Sequence, residues 1–445
     1  MPYWLEHFIG RTSRTVIPIF VAVGEMTPWN VFLVTLAIRI AVLAVLHVYS
    51  LASGQGGFSI WSSDDRYYFA AAAEGAAWLR DGDWSRWQRE VPLAYSRWLA
   101  LLFAVTGPSL LAGQLANAVL GAATAALATA WTYQLASDAR AARVAGWIVA
   151  LYPSHVYHSV QLLKDALTTF TGVAAAWVFG MWSSSGRWVH LAVCLLLFCM
   201  LMELRLYAGV ALELAGAAAL AFTVAAPRAG RRWQELRALG AWLAGTALVS
   251  LAVGHRVWGA DVLSYELDRI RHNVYSQGEA AIGIRLPTAP QGHADHDAWL
   301  GSLVGVVGPW LLSLVHVLVA PFPWQALRGP EWALGALDAA FCGGILFAAA
   351  ATWLRDLRRR ALGEHAVFLA GFAFATLAAI AAFSDNMGAN VRLRLLPYVL
   401  LAVPAAQTLA QLAPFRRWRG EYAPPAPAEP GPGIPGMGAA GHRDV

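Results

Sequence analysis

Two adjacent carboxylates, Asp64 and Asp65, open the stretch "DDRYYFAAAAEGAAWLRDGDW" shortly after a long apolar run ends. A carboxylate held next to lipid is partly desolvated, which favours a base able to take a proton from an acceptor hydroxyl. With Ser62 and Ser63 beside them, the same acids are equally suited to capping a helix N-terminus. Asp81 and Asp83 have the D-x-D spacing of metal and sugar-nucleotide sites, but Gly82 between them makes a polar turn the better reading. A second group lies in "YPSHVYHSVQLLKDALTTF". There Pro153 ends one helix, Tyr157 and His158 reach the outer interface, and Lys164 with Asp165 starts the next helix. An ammonium at a helix head grips phosphate, although Lys164 and Asp165 are also able to screen one another. Glu203 and Arg205 interrupt apolar runs in "LMELRLYAG", as ligand groups or as an ion pair at a helix end. Near the C-terminus "SDNMGANVRLRLLPY" supplies Asp385, Asn386, Asn390, Arg392 and Arg394. The two arginines are two apart and cannot share a helical face, so one reaches a site and the other meets lipid phosphate or a neighbouring helix. In "GHADHDAW" the ligand types His293, Asp295, His296 and Asp297 are too close in sequence to wrap one ion without a tight turn, so a solvated loop is expected. Arg269, Arg271 and His272 suit an anionic lipid head group. Cys194, Cys199 and Cys342 sit in apolar runs without C-x-x-C spacing and read as small core residues.

The elements that must position these groups are membrane helices. The 445-residue chain is 58% hydrophobic and only 13% charged, with a net charge of +5, against about 25% charged in soluble domains. Its mean hydropathy is +0.50. Several apolar stretches reach the roughly 20 residues that cross a bilayer, and helices satisfy their own backbone there. The expected fold is all-α and polytopic, with about 10–12 membrane helices. Thr27 and Pro28 cap a first span that runs to about residue 51. Further spans are expected at 109–136, 141–158, 161–182, 188–202, 206–226, 238–258, 332–354, 363–383 and 391–412. The stretches 93–107 and 300–320 are read as interfacial or re-entrant helices. Residues 1–28 form a cytoplasmic or interfacial lead, 29–420 the membrane domain and 421–445 a disordered Pro/Gly-rich tail. The modest charge comes mostly from arginine in short loops, at 138–143, 227–237, 355–360 and 415–419, which sets orientation and argues against nucleic-acid binding. With those loops inside, the first outer loop 52–92, the turn at Lys164, the long loop 259–299 and residues 384–392 all fall on the outer face. The segment after Asp64 reads as an amphipathic helix on that surface, with Tyr67, Tyr68, Phe69, Ala71, Ala72, Trp78 and Leu79 touching the membrane.

The order of features is more specific than any one motif. A first span, an outer D-D-x-x-Y (Asp64, Asp65, Tyr68), "VPLAYSRWLALLFAVTGPS", "RAARVAGWIVALYPSHVYHSVQLLKDAL" and "RLRLLPYVLL" together resemble the GT-C membrane glycosyltransferases, in particular the bacterial branch similar to protein O-mannosyltransferases and aminoarabinose transferases. The resemblance implies a GT-C-like fold in the bacterial cytoplasmic membrane. It also implies transfer of a sugar from a polyprenyl-phosphate carrier to a cell-envelope lipid, glycan or protein, with inversion. By matching, Asp64 is the base and Asp65 its acidic neighbour. Lys164 and Arg392 are matched to the basic residues that bind carrier phosphate, and Asp165, Arg205 and Tyr68 complete the expected substrate contacts. No cofactor is implied, and a divalent metal is left open. The chain departs from the family in carrying Lys164-Asp165 where an acidic pattern is usual and in lacking a large soluble C-terminal domain. Rival readings are an outer-leaflet polysaccharide polymerase or ligase, a lipid or glycan transporter with mid-membrane charges, and a scaffold protein.

Overall fold

The structure is a computed structural model that describes residues 27–59, 64–91, 94–225, 232–257, 303–322, 330–383 and 387–412. Among them every regular element is a helix. Expectations placed on the N-terminal lead, Ser62, Ser63, the loop 259–299 with its histidines and arginines, Asp385, Asn386 and the C-terminal tail lie outside the described residues.

The first helix, α1 (Pro28–Ala52), starts where expected: Thr27 Oγ1 accepts from Asn30 N at 3.3 Å and Pro28 fills the first turn. The first outer loop contributes α2 (Asp64–Arg80), α3 (Trp84–Glu90) and α4 (Ala94–Thr106). Asp83 caps α3 by accepting from Arg86 N at 3.0 Å, and Gly82 takes a left-handed φ of 78°. This is the polar turn expected of "RDGDW", and the Arg86 and Ser85 hydrogen bonds hold the Asp83 carboxyl below its usual value. There follow α5 (Leu110–Ala136), α6 (Ala139–Leu151), α7 (Pro153–His158), α8 (Asp165–Ser185), α9 (Trp188–Leu204), α10 (Leu206–Ala225) and α11 (Arg232–Val257). The described chain ends with α12 (Leu303–Val319), α13 (Pro330–Arg358), α14 (Glu364–Phe383), α15 (Met387–Leu393) and α16 (Leu395–Leu409).

Among the described residues six helices are long and apolar enough to cross a membrane: α1, α5, α10, α11, α13 and α14. The chain is therefore a multi-pass membrane protein by length and composition. All ten stretches expected to span are helical, but four fall short of that standard, each for a local reason. Tyr152 is extended ahead of Pro153, so the stretch 141–158 divides into α6 and α7. Serines and threonines lower the hydropathy of α8, and α9 has 17 residues. The last stretch turns at Arg394 between α15 and α16, although backbone hydrogen bonds continue through it from Arg394 N to Asn390 O and from Tyr398 N to Arg394 O. Of the two stretches set apart, α4 has 13 residues, about 20 Å of helix, and α12 has 17 and packs on α13 and α14.

Between lipid-solvated helices packing replaces the hydrophobic effect as the driving force, so small residues mark the close approaches. A Cβ on Gly172 of α8 would stand 2.5 Å from Leu396 of α16. Phe179, Trp182, Trp242 and Phe368 stack where α8, α11 and α14 meet, with the two phenylalanine rings 4.2 Å apart. Val45, Val48, Leu248, Leu251 and Phe347 remain exposed along the long helices, as lipid-facing side chains do. One expectation fails at α2. Tyr68, Ala72 and Leu79 do not touch the membrane but are buried against Tyr95, Leu99 and Phe103 of α4. The two helices bury their apolar faces on each other, leaving Tyr67 as the exposed aromatic.

Helix direction sorts the polar residues into two ends. The C-termini of α5, α8, α10, α13 and α16 lie at one end, with the described arginines of 138–143 and 355–360. The starts of α2, α8, α10 and α15 lie at the other.

Candidate functional site

At that second end four side chains from four separate segments form an unbroken ladder. Arg392 Nη1 donates to Asp64 Oδ2 at 2.8 Å, Arg392 Nε lies 3.4 Å from Asp165 Oδ2, and Arg205 Nη2 donates to Asp165 Oδ1 at 2.6 Å. Each rung has a local cause. Asp64 and Asp165 occupy the first turns of α2 and α8, where the helix dipole favours a carboxylate. Arg205 is the extended residue between α9 and α10, so its side chain points across the corner rather than along either helix. Arg392 lies in the last turn of α15. Arg205 also sits over the Tyr207 ring, 6.0 Å from its centre.

Lys164 immediately precedes α8. Its ammonium has no hydrogen-bond or ion-pair partner among the described residues. Burial, and then the neighbouring Arg205 charge, lower it to about 8. Among the described residues, three cations stand against two carboxylates at this spot. The phenol of Tyr68 is buried beside the ladder and pushed up to about 12, by burial first and then by Asp64 and Asp165. A small cleft opens here, lined by Asp165, Arg205, Tyr207 and Arg392 together with the hydroxyl-bearing Thr168 and Thr376.

The two adjacent acids have different surroundings. Asp64 keeps 43% of its side chain exposed, facing Arg392. Asp65 is fully buried: Oδ2 accepts from Ser59 N and Oδ1 from Arg66 N, which ties down the loop before α2. Burial pushes the Asp65 carboxyl up, and those two bonds oppose the shift. Asp65 therefore acts as a loop anchor, whereas Asp64 pairs with Arg392, which lines the cleft. The arginine pair also divides. Arg392 enters the ladder, while Arg394 is buried on the neighbouring helix. There it donates to Asp338 Oδ2 at 2.6 Å and to Ala320 O at 2.5 Å. Glu203 and Arg205 do not pair with each other, because Glu203 lies 3.8 Å from Arg97 of α4.

Several functional-looking residues escaped the sequence reading. Asn117 of α5 donates to Tyr95 Oη at 2.8 Å, to Gln161 O at 2.6 Å and to Leu163 O at 2.9 Å, fixing the turn that presents Lys164. Arg39, midway along α1 and fully buried, reaches Ser159 Oγ and His155 Nδ1, both at 2.8 Å. No carboxylate among the described residues pairs with it. Asp338 of α13 also accepts from Ser154 N at 2.9 Å. In each case the available signal was a polar or ionisable residue inside a membrane-length apolar run.

Among the described residues no three His, Cys, Asp or Glu side chains gather as a metal site would need. Cys194 and Cys342 are buried and Cys199 half-buried, all as free thiols. The arrangement gathers cationic side chains beside a half-exposed carboxylate. No protein-family model, no curated protein and no solved structure matches the chain.

Proposed function

We propose that this chain is a membrane glycosyltransferase of the GT-C kind. It would transfer a sugar from a polyprenyl-phosphate carrier to a hydroxyl of a cell-envelope acceptor at the outer face of a bacterial cytoplasmic membrane. The observation that carries the reading is the Asp64–Arg392–Asp165–Arg205 ladder with Lys164, which has no partner among the described residues, beside it. It places cationic side chains next to a carboxylate that is still reachable. In this proposal the carrier phosphate enters the cleft and draws Arg392, Arg205 and Lys164 to itself. Arg392 then releases Asp64, which accepts the proton of the acceptor hydroxyl. The acceptor oxygen bonds to the anomeric carbon from the opposite face while the bond from that carbon to the phosphate oxygen breaks. The departing phosphate keeps the electron pair, stabilised by the three cations. Tyr68 packs beside the reacting groups, and Asp65 holds the loop that frames them.

The test is transfer of radiolabelled sugar from polyprenyl-phosphate donors to envelope acceptors in proteoliposomes. Asp64→Asn is expected to lower the rate by about 10²-fold or more, the usual worth of a general base. Asp65→Asn is expected to retain more activity, at a cost in stability. Transfer that survives Asp64→Asn would move the chemistry to the arginines and favour a polymerase or ligase.

A second reading, transport of a lipid or glycan, draws on one observation: the helix broken at Tyr152, next to an arginine buried midway along α1. It predicts movement of labelled substrate across the liposome membrane with no transfer from any donor.

A further inference from the structure

A second pocket, separate from the charged cleft, lies between α1, the loop before α2, α5 and the segment around α7. It is small and opens to solvent. Its polar lining comes from His47, Ser50, Ser59, Gln114, Tyr157 and Gln161, and no carboxylate, lysine or arginine takes part. Two of its polar atoms are buried without a hydrogen-bond partner, Gln114 Oε1 and His47 Nδ1. Gln114 is 4% exposed, and its amide nitrogen is already committed to Gly57 O at 3.1 Å, which leaves the oxygen turned to the pocket. Gly57 takes a left-handed φ of 88°, and a Cβ there would stand 2.6 Å from the His47 ring, so glycine keeps this wall open.

Burying such groups unsatisfied costs free energy, and a ligand that supplies their partners recovers it. Among the described residues no charged side chain lines the pocket to pair with an ion. A molecule carrying several neutral hydroxyls, each both donor and acceptor, matches the mixture of amide, hydroxyl and imidazole groups. We infer that this pocket binds the hydroxyl edge of a neutral sugar ring. Ser59 is fixed in the pocket wall because its main-chain N–H is held by Asp65. The inference stands apart from the transferase reading, since it concerns binding and requires no donor lipid.

The experiment is saturation-transfer NMR on the full chain in nanodiscs, titrated with glucose, mannose, galactose and N-acetylglucosamine, and with glucuronate and glucosamine as charged counterparts. At least one neutral sugar should give a saturable signal, weakened about tenfold or more by Gln114→Met and by His47→Phe and unchanged by Asp81→Ala in the exposed turn. His47 is only partly buried, so its variant reports even if Gln114→Met fails to fold. Absence of saturable binding by every neutral sugar, binding unchanged in His47→Phe, or equal binding of the charged sugars would overturn the inference. Because no lipid-linked donor is present, such a failure leaves the Asp64 transfer assay to judge the transferase reading separately.

Discussion

Arg392 and Arg394 are two residues apart and face opposite fates on mutation. Arg394 and Asp338 form a buried pair, and removing one partner of such a pair strands the other charge at a cost of about 3–5 kcal/mol. Arg394→Ala is therefore expected to prevent recovery of folded protein. Arg392 is bonded to a carboxylate that is 43% exposed, so Arg392→Ala should fold and lose anion binding. Size-exclusion profiles and phosphate affinity of the two variants check this, and equal folding yields would remove the distinction. Lys164 adds a pH dependence. Its ammonium is lowered to about 8 by burial and by Arg205, with Arg392 acting in the same direction and Asp165 and Asp64 against it. A lysine held below its ordinary value weakens the fold at neutral pH, and that penalty fades as pH rises through about 8 and the charge is lost. Affinity for an anion should move oppositely, falling severalfold between pH 7 and 9, with Lys164→Ala weak and flat across the range. A native profile as flat as the variant's would exclude Lys164 from the grip.

At the scale of elements, α7 connects the site to the rest of the bundle, and Arg39 is its unusual support. The guanidinium bonds to Ser159, His155 and Thr35 O but to no described carboxylate, so its desolvation is offset by neutral partners alone. Replacement by a flexible apolar side chain should therefore stabilise: Arg39→Met is expected to raise unfolding stability by about 1–2 kcal/mol, read as a higher Tm in tryptophan fluorescence. Gly121→Ala should do the reverse, because its Cβ would fall 2.5 Å from Arg39 Nε, and Arg39→Met should relieve part of that loss in the double mutant. A fall in Tm for Arg39→Met would show that the three hydrogen bonds outweigh the buried charge. The same elements show what was legible in the sequence. Membrane-length hydropathy located the six described helices that are long and apolar enough to span, and Thr27-Pro28 located the first cap. Asp64, Lys164, Asp165, Arg205 and Arg392 were legible as charges at apolar boundaries, and they converge. The partners were not, because pairing depends on tertiary approach: nothing local distinguishes Arg392 from Arg394, or tells Asp64 from Asp65. The faces of α2 were misassigned for a related reason, since an amphipathic pattern is the same whether its apolar side meets lipid or α4.

For the whole molecule, the separation of charges between the two ends decides the orientation. The described arginines of 138–143 and 355–360 lie at the end where α5, α8, α10, α13 and α16 finish, and the ladder lies at the other. Short arginine-rich loops are retained on the cytoplasmic side, so the ladder and both pockets should face outward. Asp81 stands in the exposed turn of the first outer loop, while Ser185 ends α8 and Arg360 follows α13 at the opposite end. The native thiols of Cys194 and Cys342 are buried, and replacing the half-buried Cys199 by Ala keeps the labelling background low in intact cells. A membrane-impermeant maleimide should therefore react with Asp81→Cys from outside. Ser185→Cys and Arg360→Cys should react only after the membrane is opened. Labelling of all three from one side would break the link between helix direction and membrane orientation. The reverse pattern, with Asp81→Cys protected, would turn the charged cleft toward the cytoplasm, where a lipid-linked sugar of the outer leaflet cannot reach it, and the transferase reading would have to be abandoned in the form proposed.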